Sequence, residues 1–174
     1  MIMNMLGAGG MELVTDRVRH PDDDNPRGYF EYEPVKGLAG DISWLPDARG
    51  RAVKIISQLL YELPASEQYR IIFVNRNMDE VLASQKKMLQ RRGIADKGIS
   101  DNLLAAKFAD HLDRIGRWIG EQKHMRRLTV QYDNVVAAPM QTAVDIARFL
   151  GLPLDMESMA GAVDPSLYRN RGPS

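Results

Sequence analysis

Four short apolar runs punctuate the chain, and the stretches between them carry helical spacing. The runs are Glu12–Asp16 (ELVTD), Ala52–Ser57 (AVKIIS), Arg70–Asn75 (RIIFVN) and Arg127–Tyr132 (RLTVQY). The middle two are nearly continuous in Ile and Val, the pattern of strands covered on both faces. After the third run, Met78, Val81, Leu82, Gln85, Met88 and Leu89 recur at helical spacing, with only Gln85 polar. Asn77 suits the cap of that helix, Glu80 suits a capping box, and Gly93 marks its end. Asp79 and Glu80 sit where the helix dipole favours carboxylates. A longer helix is expected over Asn102–Gln122, burying Leu104, Phe108, Leu112, Ile115, Trp118 and Ile119. A last one begins at Pro139, turns Ala143, Ile146, Ala147 and Leu150 inward, and stops at Gly151 before Pro153. Trp44 and Trp118 read as core residues in helical patterns. Alternating strands and helices predict an α/β fold, a parallel sheet flanked by helices. The length of 174 residues predicts a single domain over 1–174. Residues 1–10 (MIMNMLGAGG) depart from this alternation, because they resemble the second half of a helix where a strand would open such a sheet.

Composition narrows the chemistry. There are 23 basic and 23 acidic residues, so any anion site must be local, and nucleic acid is not an expected partner. With no cysteine, disulfides, thiolate metal sites and cysteine nucleophiles are excluded. His20, His111 and His124 form no close-spaced pair, and no metal site is expected. Asp22–Asp24 reads as a solvated turn within Pro21–Gly28. No apolar run approaches the ~18 residues of a membrane span. The opening lacks the basic flank of a signal peptide, so a cytoplasmic location is expected.

The strongest local signal is Val74-Asn75-Arg76-Asn77-Met78-Asp79-Glu80, running on to Ser84. Arg76 leaves the carboxyl end of a strand, where open α/β sheets bind ligands. Ser84 lies two turns, or ~10 Å, along the helix from Asn77 and on nearly the same face. Arg76 and Ser84 are placed to grip one phosphate, the guanidinium in bidentate fashion and the hydroxyl as a donor. The same residues also fit an arginine paired with a carboxylate and a serine chosen for helix packing.

This segment resembles the 3′-phosphate-binding region of sulfotransferases that use 3′-phosphoadenosine 5′-phosphosulfate (PAPS), roughly Arg-Asn-Pro-x-Asp-x-x-x-Ser. Arg76, Asn77 and Ser84 match it, Met78 replaces the usual proline, and Glu80 stands near the usual acidic position. Val130–Val135 with Pro139 and Ile146–Gly151 is similar to the family's "Tyr-Glu-Asp-Leu … Pro … Ile … Phe-Leu-Gly" stretch. Asn25–Glu31 resembles a segment of bacterial members, and Leu167–Gly172 resembles the family's late basic segment. The resemblance implies a P-loop nucleoside-kinase-like fold. It also implies PAPS as sulfuryl donor, with Arg76, Asn77, Ser84, Arg169 and Arg171 around its 3′-phosphate. It implies a first strand and a 5′-phosphosulfate loop ahead of Met1. Residues 1–10 carry no cation to replace that loop, so the sequence reads as truncated at its start and its activity as given as doubtful.

The resemblance further implies that Lys54 faces the sulfuryl group. The family's histidine base, two residues after that lysine, is Ile56 here. Glu31 is then expected as the base, with Glu33 as its alternative. The acceptor is expected to be a small molecule, a glycan or a lipid, and a homo-oligomer is possible. Competing readings are a nucleotide kinase relative, which would need a Walker lysine and magnesium ligands, and a non-catalytic protein-binding module of the same fold.

Overall fold

The computed structural model describes residues 1–16, 18–22, 25, 27–91 and 100–167. Helix α1 (Ile2–Ala8) precedes strand β1 (Leu13–Val14), and a long irregular stretch leads to β2 (Ala52–Val53). Then follow β3 (Tyr69–Asn75), α2 (Met78–Arg91), α3 (Asp101–Glu121), β4 (Met125–Gln131), α4 (Tyr132–Ala137), α5 (Pro139–Leu150) and α6 (Met156–Gly161). Short 3₁₀ turns occur at Glu33–Gly37, Pro46–Ala48, Ser57–Glu62 and Pro165–Leu167.

The fold is α/β, as expected, and both strand pairs are parallel. Among the described residues, β1 pairs with β2 (Leu13 opposite Ala52), and β3 pairs with β4 from Tyr69 opposite Met125 to Asn75 opposite Gln131. These are two separate two-stranded sheets. Side-chain alternation sends successive residues to opposite faces. Leu13, Ala52, Ile72, Leu128 and Val130 share one buried cluster with Met5 and Leu6 of α1, Ala143 and Ile146 of α5, and Met159 of α6. Val53, Ile71 and Phe73 point the other way, onto Ile115 and Ile119 of α3 and onto Val35, Leu38, Trp44, Leu45 and Leu60. Both clusters draw residues from both strand pairs, so the two sheets lie between the same two apolar layers.

Two of the expected strands are shorter than their apolar runs. Glu12–Asp16 yields only Leu13–Val14. The Asp16 N–H donates to Glu31 O (3.3 Å), and the Asp16 carboxylate accepts from the N–H groups of Val18 and Glu33, which turns the chain off the sheet. Ala52–Ser57 yields only Ala52–Val53, because β1 offers no further partner and Ser57 opens a 3₁₀ turn. Ile56, beyond β2, is 57% exposed and Val74, within β3, is 44% exposed, so neither of the two Ile/Val-rich runs is covered on both faces throughout.

The helices begin and end where local chemistry dictates. Ser100 caps α3 by accepting from the Leu103 N–H, and Asp155 caps α6 by accepting from the Ser158 N–H. Helix α5 starts at Pro139 and ends at Gly151, whose φ of 68° is the left-handed conformation that glycine adopts without steric cost. Trp44 is core, as expected, but it lies in a turn before Pro46–Ala48 and not in a helix. Trp118 is half-buried on α3, against the Tyr61 ring (4.7 Å). The expected helix stop at Gly93 lies outside the described residues.

Candidate functional site

Parallel strands bring their carboxyl ends to one edge. Within the first strand pair, Thr15 and Asp16 follow β1 and Lys54 follows β2. Within the second, Arg76 follows β3 and Tyr132 follows β4.

The first cluster gathers around Glu31. The Lys54 ammonium donates to the carbonyl of Tyr29 (2.9 Å) and stands 3.7 Å from Glu31 Oε1. The same carboxylate oxygen accepts from Arg19 Nη1 at 3.1 Å. The Arg19 guanidinium carbon also lies over the Tyr29 ring, 3.2 Å from its centroid, a cation–π contact. The Tyr29 hydroxyl donates to the Asp22 carboxylate (2.7 Å). The backbone of Glu31 is tied to the end of β1, its carbonyl accepting from Thr15 Oγ1 (3.0 Å) and from the Asp16 N–H. Arg27 anchors the next turn of this loop to the far end of the chain, donating to Ala162 O and to Asp164 (3.1 Å). The amino group of Met1, at the start of α1, has its pKa lowered first by burial and then by Lys54 and Arg27.

The second cluster lies at the β3–α2 junction. Asn77 Oδ1 accepts from the Asp79 N–H (2.9 Å) and so helps open α2. Arg76 Nε donates to Glu80 Oε2 at 3.1 Å, one helical turn on, and the guanidinium lies 4.7 Å from the Tyr132 ring centroid. Glu80 is 4% exposed, a buried carboxylate neutralised by its neighbour. The Tyr132 phenol is raised by burial, partly opposed by Arg76. Ser84 is half-buried further along α2, and no hydrogen bond joins it to Arg76 or Asn77 among the described residues.

Glu31 and Lys54, named from sequence, are therefore brought together, and Arg76 adjoins the cap formed by Asn77. Glu33 turns away, pairing with Lys36 at 2.7 Å. Arg169 and Arg171, with all of the late basic segment after Leu167, lie outside the described residues, as do Asp23 and Asp24. Sequence reasoning missed Arg19 and Tyr29. The signal for Arg19 was position alone, just before the Pro21–Gly28 turn, and that for Tyr29 was its place in the Asn25–Glu31 segment.

The histidines lie elsewhere. His20 is exposed, and His111 on α3 shares a 2.8 Å hydrogen bond with Ser57. Nε2 of His124 is buried and, like Nε1 of Trp44, finds no partner among the described residues. No cluster of three metal-ligating side chains, and no helix long and apolar enough to cross a membrane, occurs among the described residues.

A family model described as the sulfotransferase family matches residues 44–156, well over half of the chain. The match takes in Lys54, Arg76, Asn77 and Ser84, and leaves Glu31 outside it. Searches of curated proteins and of solved structures return no match.

Proposed function

Because the chain belongs to the sulfotransferase family, we propose that it serves sulfuryl transfer from PAPS to a hydroxyl or amine acceptor. One observation carries this reading: a lysine and an arginine stand at the carboxyl ends of the two strand pairs, where α/β sheets collect anions. Each rests on a carboxylate that an incoming anion can replace. Arg76, Asn77 and Ser84 are assigned to the 3′-phosphate, with Arg169 and Arg171 assigned by resemblance alone. Lys54, supported by Arg19, is assigned to the sulfuryl oxygens, where a cation stabilises charge that grows as the leaving phosphate departs. Bound there, the donor supplies an activated sulfuryl group. Glu31 is assigned to accept the proton that the acceptor loses. The acceptor class is a small molecule, a glycan or a lipid, and the location proposed is cytoplasmic.

A second reading, a non-catalytic protein of the same fold, has one observation in its favour. The Arg76–Glu80 pair is buried on the Glu80 side, as structural ion pairs are.

Titrating adenosine 3′,5′-bisphosphate by calorimetry separates the two. Arg76→Ala alone would take its cation from the buried Glu80 and destabilise the fold as well as the site. The better variant carries Arg76→Gln together with Glu80→Gln, alongside a separate Ser84→Ala. Micromolar binding by the wild-type chain, weakened at least tenfold in the Gln–Gln variant and less in Ser84→Ala, supports the donor site. Binding that neither change weakens moves the site elsewhere, and a folded wild-type chain that binds nothing favours the second reading.

A further inference from the structure

Phe30 is the only non-glycine residue with a positive φ among those described, at 51°. For a bulky L-residue this is a true outlier, costing on the order of 1–2 kcal/mol, and such strain gathers at working sites. The Phe30 ring belongs to neither buried cluster, so core packing does not account for the conformation. The contacts on either side do. Tyr29 offers its carbonyl to Lys54 (2.9 Å) and its ring to Arg19. Glu31 offers its carboxylate to the same two cations and its carbonyl to Thr15. Both neighbours of Phe30 thus converge on Lys54 and Arg19, and reaching that geometry requires the chain to reverse at Phe30.

We propose that Phe30 is a positioning residue that makes the Tyr29–Glu31 turn a loaded latch on Lys54, released when an anion takes the lysine. The inference rests on the assignment of Lys54 to an anionic group of the donor. In the closed state the ammonium is held by Tyr29 O and by Glu31. An oxyanion that captures the ammonium removes those two contacts and leaves Arg19 on Tyr29 and Glu31, and Thr15 on the Glu31 carbonyl, too few to hold Phe30 at positive φ. The turn then relaxes, and Glu31 is freed from Lys54. The strain lowers the cost of opening, and Glu31, left to Arg19, can turn toward the acceptor only after the donor's charge has arrived. Donor binding before acceptor activation is built into the order of these contacts.

The test compares Phe30→Asn with Phe30→Leu. Both remove the aromatic ring, but asparagine tolerates the left-handed conformation and leucine does not. The probe is sodium sulfate, followed by NMR at Lys54 and Phe30 against sodium chloride of equal ionic strength. Relief of strain stabilises the closed state alone. Phe30→Asn should therefore melt at a higher temperature than Phe30→Leu and bind sulfate about 5- to 30-fold more weakly. In the wild type, saturating sulfate should move the backbone couplings of Phe30 from those of positive φ to those of negative φ. Equal sulfate affinities in the two variants, no gain in melting temperature for Phe30→Asn, no sulfate response at Lys54, or an unchanged Phe30 at saturation would each overturn the latch. A wild-type chain that answers sulfate in this way but ignores adenosine 3′,5′-bisphosphate upholds the latch and faults only the donor assignment.

Discussion

Tyr69 opens β3 with its hydroxyl donating to Pro64 O (3.1 Å) and its ring edge-on to His124. Burial, and then the charge of Glu67, pushes this phenol up to about 12. The unfolded chain ionises near pH 10. The folded state therefore holds its proton longer, and the stability this gives is present below pH 10 and is lost as pH rises toward 12. Tyr69→Phe should flatten the fall in stability over that window, measured by urea titration at a series of pH values. At this scale the sequence was readable where chemistry is local. Asn77 before a helical run reads as a cap, whereas Lys54 lay inside the expected strand Ala52–Ser57 and was picked out by the family resemblance. Arg76–Glu80 was visible as an i,i+4 spacing, but Glu80 was read for its place in the first turn, and only the fold shows it buried against Arg76. Phe30 was invisible. Nothing in Gly-Tyr-Phe-Glu forecasts a positive φ at the phenylalanine, because that conformation is imposed by Lys54 and Arg19 from other parts of the chain.

Elements meet most closely at two glycines, with opposite consequences. A Cβ at Gly9, just after α1, would stand 2.5 Å from Cγ of Met159, which is fully buried on α6. Gly9→Ala should cost about 1–3 kcal/mol as the packing of α1 on α6 is forced apart. A Cβ at Gly116, inside α3, would meet only the mobile tip of Arg127 (2.8 Å). Gly116→Ala should gain about 0.5–1 kcal/mol from helix propensity. Chemical denaturation of the two variants should shift the midpoint in opposite directions. The helices were legible because periodicity, caps and stops agreed: Pro139 and Gly151 bound α5 where expected, and α3 begins one residue from its expected start. The first two strands were overread. An apolar run reports burial, whereas strand length is set by the neighbour, and β1 and β2 each end when the other does.

At the scale of the whole molecule, β4 is paired on one side only among the described residues. Arg126 and Arg127 on β4 are exposed, as is Arg70 opposite Arg126, and none of the three forms an ion pair among the described residues. Charges of one sign along an open strand edge oppose pairing with a second copy. Arg126→Thr with Arg127→Thr should therefore raise self-association, read as a concentration-dependent mass by light scattering. The layering of helices on both faces was legible from the alternation of elements. The division into two strand pairs was not, since no residue pattern in a strand records which neighbour it lacks.

The neutrality noted in the composition recurs in miniature at the carboxyl edge. Lys54 and Arg19 are met by Glu31 and, through the Tyr29 hydroxyl, by Asp22, and Arg76 faces Glu80, so each cationic grip carries its own counter-charge. From beyond a Debye length such a grip projects little field. An anion diffusing toward this edge is not steered, and its on-rate stays near that of an uncharged encounter and changes little with added salt. Selectivity is then exercised at contact, by whether the arriving group replaces a carboxylate better than water does.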